Sequence, residues 1–299
     1  LVADALRPVY DRTGGADGYV SLEVSPTLAD DTAGTIDGAR RLWAAVDRPN
    51  LMIKVPATAA GIPAIEALTA EGISVNVTLM FSRANYEAVA QAYLRGLRRT
   101  ADPARVASVA SFFISRVDAV VDRMLEAVGT PETLALRGQA AIVNAKATYQ
   151  RFKEIFYGEP FAELRRRGGR VQRPLWASTG TKNPAYSDVL YVEELIGADT
   201  VNTLPPATLY AFRDHGRVRP SLEEGPDIAA NTLGRLAALG IDLDIVGQQL
   251  QSDGVAAFAA SYDHLLRTLD AKRAGLRLPQ PGRARLQSGR HQTAIEDRL

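Results

Sequence analysis

The stretch Leu51–Phe81 reads LMIKVPATAAGIPAIEALTAEGISVNVTLMF, and it decides the fold of this chain. Its first six residues are apolar except for Lys54, which predicts a short strand buried on both faces. A segment with helical periodicity follows from Ala59 to Ala70, and Gly72 marks its end. The run SVNVTLMF predicts a second strand. Strand, helix and strand in this order predict a βαβ unit with parallel strands and a right-handed crossover.

Side chains alternate between the two faces of a strand, and this separates the polar from the aliphatic residues of the unit. The aliphatic face holds Leu51, Ile53, Val55, Val75, Val77 and Leu79. The other face holds Lys54, Asn76 and Thr78, on neighbouring strands about 5 Å apart. Polar groups inside a sheet are costly unless they are paired or used. We therefore interpret this second face as the lining of a site.

The composition describes a globular chain long enough for one large α/β domain or two small ones. A formal net charge of +1 over 299 residues gives no reason to expect a nucleic acid or an anionic membrane as a partner. The absence of cysteine and the presence of only three histidines exclude thiolate and histidine-rich metal centres, and we expect neither a metal nor a cofactor. Without a membrane-spanning apolar run or a signal peptide, we expect a cytoplasmic protein.

Lysine is rare in this chain, since only five of the 35 basic residues are lysines. Arginine keeps its proton at neutral pH, whereas a desolvated lysine can lose it. Lys54 lies inside an apolar strand, which disfavours its charged form. The residue type and its surroundings therefore suit chemistry that needs a neutral amine.

Outside the deciding stretch, four more strands and several helices are predicted. The further strands are YVSLEV (19–24), RVASVASFF (105–113), RPLWAST (173–179) and TVNTLP (200–205). The further helices cover residues 1–13, 35–46, 82–100, 114–129, 131–156, 189–196, 222–239 and 245–269. We assign residues 1–273 to one barrel domain and interpret the basic, Pro/Gly-containing residues 274–299 as a tail or linker.

Six strands alternating with helices favour either a doubly wound sheet or an incomplete (β/α)8 barrel. Glu23 faces the same way as Lys54, so polar residues point inward from three successive strands. An open sheet would cover both faces with helices and gather its site at one switch point. We therefore predict an α/β fold of the TIM (β/α)8 type, incomplete at the N-terminus.

The motifs of the deciding stretch resemble those of the transaldolase family, in its bacterial branch, and the resemblance covers nearly the whole chain. LMIKVPATAAG resembles the Schiff-base signature, which implies that Lys54 is the catalytic lysine. GISVNVTLMFS resembles the strand that follows it, which implies that Asn76 binds substrate and that Thr78 holds a catalytic water. GYVSLEV implies that Glu23 is an acid/base catalyst.

Two later motifs resemble the side of the family's site that binds phosphate. SFFISRVD implies that Ser111, Phe113 and Arg116 contribute to it. LWASTGTKN implies the same for Ser178. Lys182 lies two residues away from the position where other branches of the family carry an arginine. Together these residues imply charge-assisted bonds to a terminal phosphate at the start of helices.

The resemblance implies transfer of a dihydroxyacetone unit from sedoheptulose 7-phosphate to glyceraldehyde 3-phosphate, a reaction of the pentose phosphate pathway. It also implies two earlier barrel strands, which carry an acid/base aspartate and a substrate-binding asparagine and which this sequence does not contain. Asp17 and Asn50 do not replace them, because each lies in a turn ahead of a strand. We interpret the sequence as a truncated version of a longer polypeptide.

Alternative functions stay open at this point. One is an aldolase similar to fructose 6-phosphate aldolase, which releases the triose instead of transferring it. Another is a catalytically impaired fragment, or an accessory domain that binds sugar phosphates and contacts a fused neighbouring domain or a second copy in a homodimer. The missing strands motivate this last alternative.

Structural readings of the same residues also stay open. Lys54 and Glu23 could form a purely structural ion pair, and Asn76 could bond to Thr78 within a barrel layer. The run from Arg165 to Arg170 is interpreted as a solvated turn, because no aromatic residues alternate with it as in a nucleic-acid surface.

Overall fold

A computed structural model describes residues 2–277 of the chain. The chain divides into two compact units, Leu1–Ala259 and Ala260–Leu299. All the strands of the described residues belong to the first unit, and the described part of the second is helical as far as Arg277. Residues 278–299 of the predicted tail lie outside the described residues. No helix of the described part is long and apolar enough to cross a membrane.

Helices and strands alternate along the described chain. The strands are β1 (Val20–Glu23), β2 (Leu51–Pro56), β3 (Val75–Met80), β4 (Ser108–Phe113), β5 (Gln172–Ala177) and β6 (Val201–Asn202). The first helices are α1 (Val2–Arg12), α2 (Thr32–Val46), α3 (Gly61–Ala70), α4 (Arg83–Arg99), α5 (Ser115–Val128) and α6 (Pro131–Leu134). The later helices are α7 (Ala140–Phe156), α8 (Ala162–Arg166), α9 (Leu190–Glu193), α10 (Pro206–His215), α11 (Pro226–Ala238) and α12 (Leu243–Arg277).

The six strands form one parallel sheet in the order β1-β2-β3-β4-β5-β6. Each strand pairs with the one before it in sequence, as in a (β/α) barrel and unlike a doubly wound sheet, where the order reverses at a switch point. The sheet curls into a half-barrel with β1 and β6 at its edges. The predicted fold class, an incomplete TIM-type barrel, is confirmed.

The βαβ unit of the deciding stretch forms as predicted, with α3 beginning at Gly61. The Thr58 hydroxyl accepts a hydrogen bond from the amide of Gly61 at 3.0 Å and so fixes the turn between β2 and α3. A Cβ atom at Gly61 would lie 1.9 Å from the carbonyl oxygen of Pro56, so only glycine fits there. Gly72, with φ +84°, ends the helix in the left-handed conformation.

All six residues of the predicted aliphatic face of β2 and β3 are buried in the core, but Leu79 departs from the alternation of β3. Ile53, Val55, Val75 and Val77 are fully buried, and each such side chain contributes about 1.5–3 kcal/mol to folding. Leu79 does not belong to this face: its φ is +60°, the register of β3 against β4 shifts at this point, and the side chain borders the cavity beside Lys54. A β-bulge breaks the period-two alternation that predicted the face.

Several helix boundaries differ from the sequence prediction. The stretch 131–156 is divided into α6 and α7, and the helix expected over 189–196 is reduced to α9. The helix α10 was not predicted, because Pro205 was interpreted as the end of a strand and no element was assigned to the residues after it. Pro206 takes the first helical position, where its missing N–H costs nothing. Finally, α12 extends to Arg277, beyond the predicted end at 269.

Candidate active site

The polar face of the half-barrel collects at the carboxyl ends of the strands. Glu23 pairs in register with Lys54, and Lys54 pairs in register with Asn76. The amine Nζ of Lys54 forms an ion pair with Oε1 of Glu23. The Lys54 side chain is 22% exposed and that of Glu23 is 42% exposed. This end of a parallel barrel is where active sites of the fold are found.

Thr78 lies one register step further on, opposite Pro56. Its hydroxyl is buried and has no hydrogen-bond partner among residues 2–277. Together with Lys54 and Glu23 it lines a cavity of about 30 Å³, which is room for one or two water molecules. An ordered water there would be within reach of a hydroxyl and a carboxylate, which is the arrangement that a proton relay needs.

The part of α12 that belongs to the first unit closes one side of this cavity. Val255 and Phe258 line it, and the ring centroid of Phe258 is 5.9 Å from Nζ of Lys54. Gln251 holds the helix in place by donating to the carbonyl oxygens of Ala57 at 3.0 Å and Leu79 at 2.9 Å. The amine of Lys54 therefore has an ionic partner on one side and an apolar wall on the other.

Asn76 is held between two serines on the inner face of the sheet. Its Nδ2 donates to the hydroxyl of Ser21 at 2.9 Å, and its Oδ1 accepts from the hydroxyl of Ser111 at 2.7 Å. The structural reading in which Asn76 bonds to Thr78 is therefore wrong. These bonds fix the orientation of the amide, with Nδ2 and Oδ1 assigned by their partners. Period two places Ser21 on the face of Glu23, so this signal could have identified the residue from sequence.

The ends of β4 and β5 bring the residues of the two phosphate motifs together. The hydroxyls of Ser115 and Ser178 are 3.1 Å apart, and the amide of Ser115 donates to the carbonyl of Ser178 at 3.1 Å. Ser178 has a φ of +57°, a conformation that is costly for a residue other than glycine and that clusters at functional sites. The strain turns the chain sharply away from β5 at the start of the loop 180–187.

Two cations follow the ends of β4 and β5 in sequence, Arg116 after β4 and Lys182 after β5. The guanidinium of Arg116, in the first turn of α5, lies 5.3 Å from the ring centroid of Phe113, which in turn packs on Phe81. Lys182 is exposed on the loop 180–187. Neither Arg116 nor Lys182 forms an ion pair with a described residue. The start of α5, where Arg116 lies, presents backbone N–H groups.

The predicted site residues fall into two groups that share one end of the sheet. Lys54, Glu23 and Thr78 line the small cavity. Arg116, Ser178 and Lys182 follow the ends of β4 and β5, and we call these three residues the predicted anion corner. Asn76, Ser111 and Phe113 lie on the strands between them. Sequence reasoning missed Phe258 and Val255, because nothing in a helical pattern shows which side chains reach a distant strand end. Among residues 2–277, no group of three or more His, Asp or Glu residues could hold a metal ion.

Comparison with known proteins agrees with this geometry. The family model described as transaldolase/fructose-6-phosphate aldolase matches residues 1–269. A transaldolase of Thiobacillus denitrificans is 55% identical over 267 residues, which cover 88% of this chain and 74% of that protein. A transaldolase of Mycolicibacterium smegmatis is 51% identical, covering 88% of this chain and 72% of that protein. Transaldolase 1 of Streptomyces coelicolor is 50% identical, covering 90% and 73%.

A lysine pairs with a glutamate at the carboxyl end of a curled parallel sheet, and the sequence is 50–55% identical to these transaldolases. The chain therefore belongs to the transaldolase/fructose-6-phosphate aldolase family.

Proposed function

We propose that this chain is a transaldolase, and that it transfers a dihydroxyacetone unit from sedoheptulose 7-phosphate to glyceraldehyde 3-phosphate through a Schiff base on Lys54. The observation that supports this most directly is the contact between the Lys54 amine and the Glu23 carboxylate beside the buried hydroxyl of Thr78. A carboxylate in contact with the amine can take its proton and leave a nucleophile.

Imine formation on Lys54 follows. The neutral amine of Lys54 attacks the ketone carbon of the donor, and the resulting carbinolamine loses water when Glu23, through a water held by Thr78, returns a proton to the leaving oxygen. The iminium accepts the electron pair of the carbon–carbon bond that breaks next, and an aldose phosphate leaves. The enamine on Lys54 attacks the acceptor aldehyde, and hydrolysis of the new imine releases the product.

One proton transfer is not assigned to a residue of this sequence. Breaking the carbon–carbon bond requires a base that removes the proton of the adjacent hydroxyl. In the family, the resemblance gives this role to an aspartate on a strand that precedes β1. Asn76, held by Ser21 and Ser111, is suited to bind the sugar hydroxyls, and Arg116, Ser178 and Lys182 are suited to bind the terminal phosphate.

Borohydride trapping tests the role of Lys54. Wild-type protein incubated with a ketose phosphate and borohydride should acquire the mass of the reduced sugar fragment on Lys54, because the reductant converts the imine into a stable amine. Lys54→Arg keeps the positive charge but cannot form the imine, so it should acquire nothing. Lys153→Arg, the same exchange in an ion pair with Glu223 outside the site, is the matched control and should be labelled like the wild type.

An adduct that persists in Lys54→Arg would refute the assignment. The aldolase alternative is separated by measuring triose release with and without an acceptor aldehyde, because a transferase holds the enamine until the acceptor arrives. Trapping of the imine without any turnover would identify the impaired fragment instead.

The proposed partners are sugar phosphates, and the proposed compartment is the cytoplasm, because the pentose phosphate reactions implied by the family use phosphorylated sugars. A homodimer or a fused neighbouring domain stays a prediction. A native mass measurement compared with 32.2 kDa for this chain tests it.

A further inference from the structure

Two buried carboxylates, Asp118 and Asp122, lie in the first and second turns of α5, and the chemistry proposed above does not use them. Asp118 accepts hydrogen bonds from the amide of Ala141 at 2.7 Å and the hydroxyl of Tyr191 at 2.8 Å. Asp122, one turn later, accepts from the amide of Gly138 at 2.9 Å and the hydroxyl of Tyr186 at 2.7 Å. Burying two carboxylates on one helix face costs folding free energy. We therefore ask what the hydrogen bonds to these carboxylates contribute to the protein.

Both tyrosines belong to the segment that follows β5. Tyr186 lies in the loop 180–187, which carries Lys182, and Tyr191 lies in α9 directly after it. The ring of Tyr186 also packs on Gly138, where a Cβ atom would come within 3.0 Å of the ring. We call the four residues Asp118, Asp122, Tyr186 and Tyr191 the tyrosine clasp.

The loop between the clasp and the end of β5 is tied internally. The hydroxyl of Thr181 donates to the carbonyl of Ser187 at 2.8 Å, and the side-chain oxygen of Asn183 accepts from the amide of Ala185 at 3.0 Å. These two bonds link residues 181 and 183 to residues 187 and 185, on either side of the stretch that leads to Tyr186. Fixing Tyr186 therefore fixes the backbone that carries Lys182.

The same helix carries the other half of the anion corner. α5 begins at Ser115, whose hydroxyl bonds to that of Ser178. Arg116 follows, two residues before Asp118. The clasp thus joins the helix that presents Arg116 to the loop that presents Lys182. A phosphate that binds to a mobile loop must first order it, and this ordering costs binding free energy. A loop that is already anchored avoids this cost.

We propose that the tyrosine clasp positions the loop 180–187 for binding the terminal phosphate of the substrate, with Asp122 and Tyr186 as its principal positioning residues. The inference rests on the proposed function for the identity of the substrate. The affinity of the protein for inorganic phosphate, and its dependence on the clasp, can be measured without any catalysis.

The test removes one hydroxyl. Tyr186→Phe keeps the ring on Gly138 and deletes only the bond to Asp122. Tyr157→Phe is the matched control, because Tyr157 also donates to a carboxylate, that of Asp199 at 2.7 Å, but lies near the amino end of β6, away from the site. Calorimetric titration with inorganic phosphate gives the dissociation constant, and steady-state rates with fructose 6-phosphate and with fructose give KM and kcat for each protein.

For Tyr186→Phe we expect a rise of about tenfold in the phosphate dissociation constant and in the KM for fructose 6-phosphate. The kcat at saturation and the KM for fructose should stay within about twofold of the wild type, and Tyr157→Phe should match the wild type throughout. Removing the bond should lower stability in either case, so the two sugars decide the question. If the hydroxyl has only a structural role, KM should change equally for fructose 6-phosphate and fructose, and that result would overturn the proposal.

The outcomes separate this inference from the proposed function. If Lys54 is not labelled by borohydride but phosphate binding weakens in Tyr186→Phe, the Schiff-base proposal is wrong and the clasp stands. If Lys54 is labelled and the phosphate dissociation constant does not change in Tyr186→Phe, the clasp is wrong. Wild-type protein that binds no phosphate overturns the anion corner and the clasp together.

Discussion

At the scale of single residues, Thr78 offers a test that separates catalysis from stability. Its hydroxyl is buried and has no hydrogen-bond partner among the described residues, so its replacement by a methyl group breaks no bond to the protein. Thr78→Val should therefore leave the free energy of unfolding unchanged or raise it by about 1 kcal/mol. If the hydroxyl holds the water that serves Lys54 and Glu23, kcat should fall by about 100-fold. Urea unfolding and steady-state rates measure the two effects.

Thr35→Val is the matched control for this exchange. The hydroxyl of Thr35 is also buried, but it donates to the carbonyl of Leu28 at 2.9 Å. Its removal should lower the free energy of unfolding by about 1 kcal/mol and leave kcat unchanged. If Thr78→Val lost stability like Thr35→Val while retaining full kcat, Thr78 would have no part in the chemistry.

At the scale of elements, α5 carries a carboxylate whose burial makes folding depend on pH. Burial is the main cause that raises the pKa of Asp118 to about 6, and the charge of Asp122 adds to it, whereas the bonds from Ala141 and Tyr191 oppose it. The folded protein therefore binds more protons than the unfolded chain between about pH 4 and pH 6, and stability falls as the pH rises through this range. The cost of the charged form at neutral pH is about 3 kcal/mol.

Asp118→Asn tests this, since the amide has nearly the same shape but does not titrate. The difference in unfolding free energy between variant and wild type should shift in favour of the variant by a few kcal/mol from pH 4 to pH 7. Loss of the bond to Tyr191 lowers the variant's stability by the same amount at both pH values, so the slope and not the offset is the measured quantity. Denaturant titrations at several pH values provide it, and a difference independent of pH would contradict the burial argument.

At the scale of the whole molecule, Arg170 joins parts of the main unit that are far apart in sequence. The guanidinium, in the loop before β5, donates to the carbonyl of Gly15 at 2.5 Å, to the carbonyl of Gly14 at 3.3 Å and to the hydroxyl of Tyr19 at 3.2 Å. These bonds span the amino end of the half-barrel from the turn ahead of β1. The interpretation of the run 165–170 as a solvated turn is thus wrong for this residue, although Arg165 is exposed.

Arg170→Ala should lower the free energy of unfolding by about 2 kcal/mol, because two carbonyls and a phenol lose their donor. Arg166→Ala, an exposed position at the end of α8, should change it by less than about 0.5 kcal/mol. Urea denaturation of both variants measures the difference. Equal effects of the two exchanges would show that the bonds across the amino end do not stabilise the sheet.

The sequence predicts features that depend on residues close together in the chain, and it misses features that depend on contacts between distant residues. The unit around Lys54 was predicted almost to the residue, because period two, a buried charge and a helix-ending glycine are local signals. The register shift near Leu79 and the helix that begins at Pro206 were not predicted, because each depends on packing that a local pattern does not encode. Arg116 and Lys182 came from motifs, whereas the clasp joins residues 64 and 73 positions apart and leaves no periodic trace.

The strictly consecutive strand order has a consequence for how the chain is made. Because every strand joins the edge left by its predecessor, each newly synthesised βα segment finds its docking partner already present as it leaves the ribosome. Growth of this kind closes only short loops at each step, which favours rapid assembly. The bonds of Arg170 to the turn ahead of β1 can form only after the chain has emerged as far as Arg170, when β1 to β4 have already been synthesised.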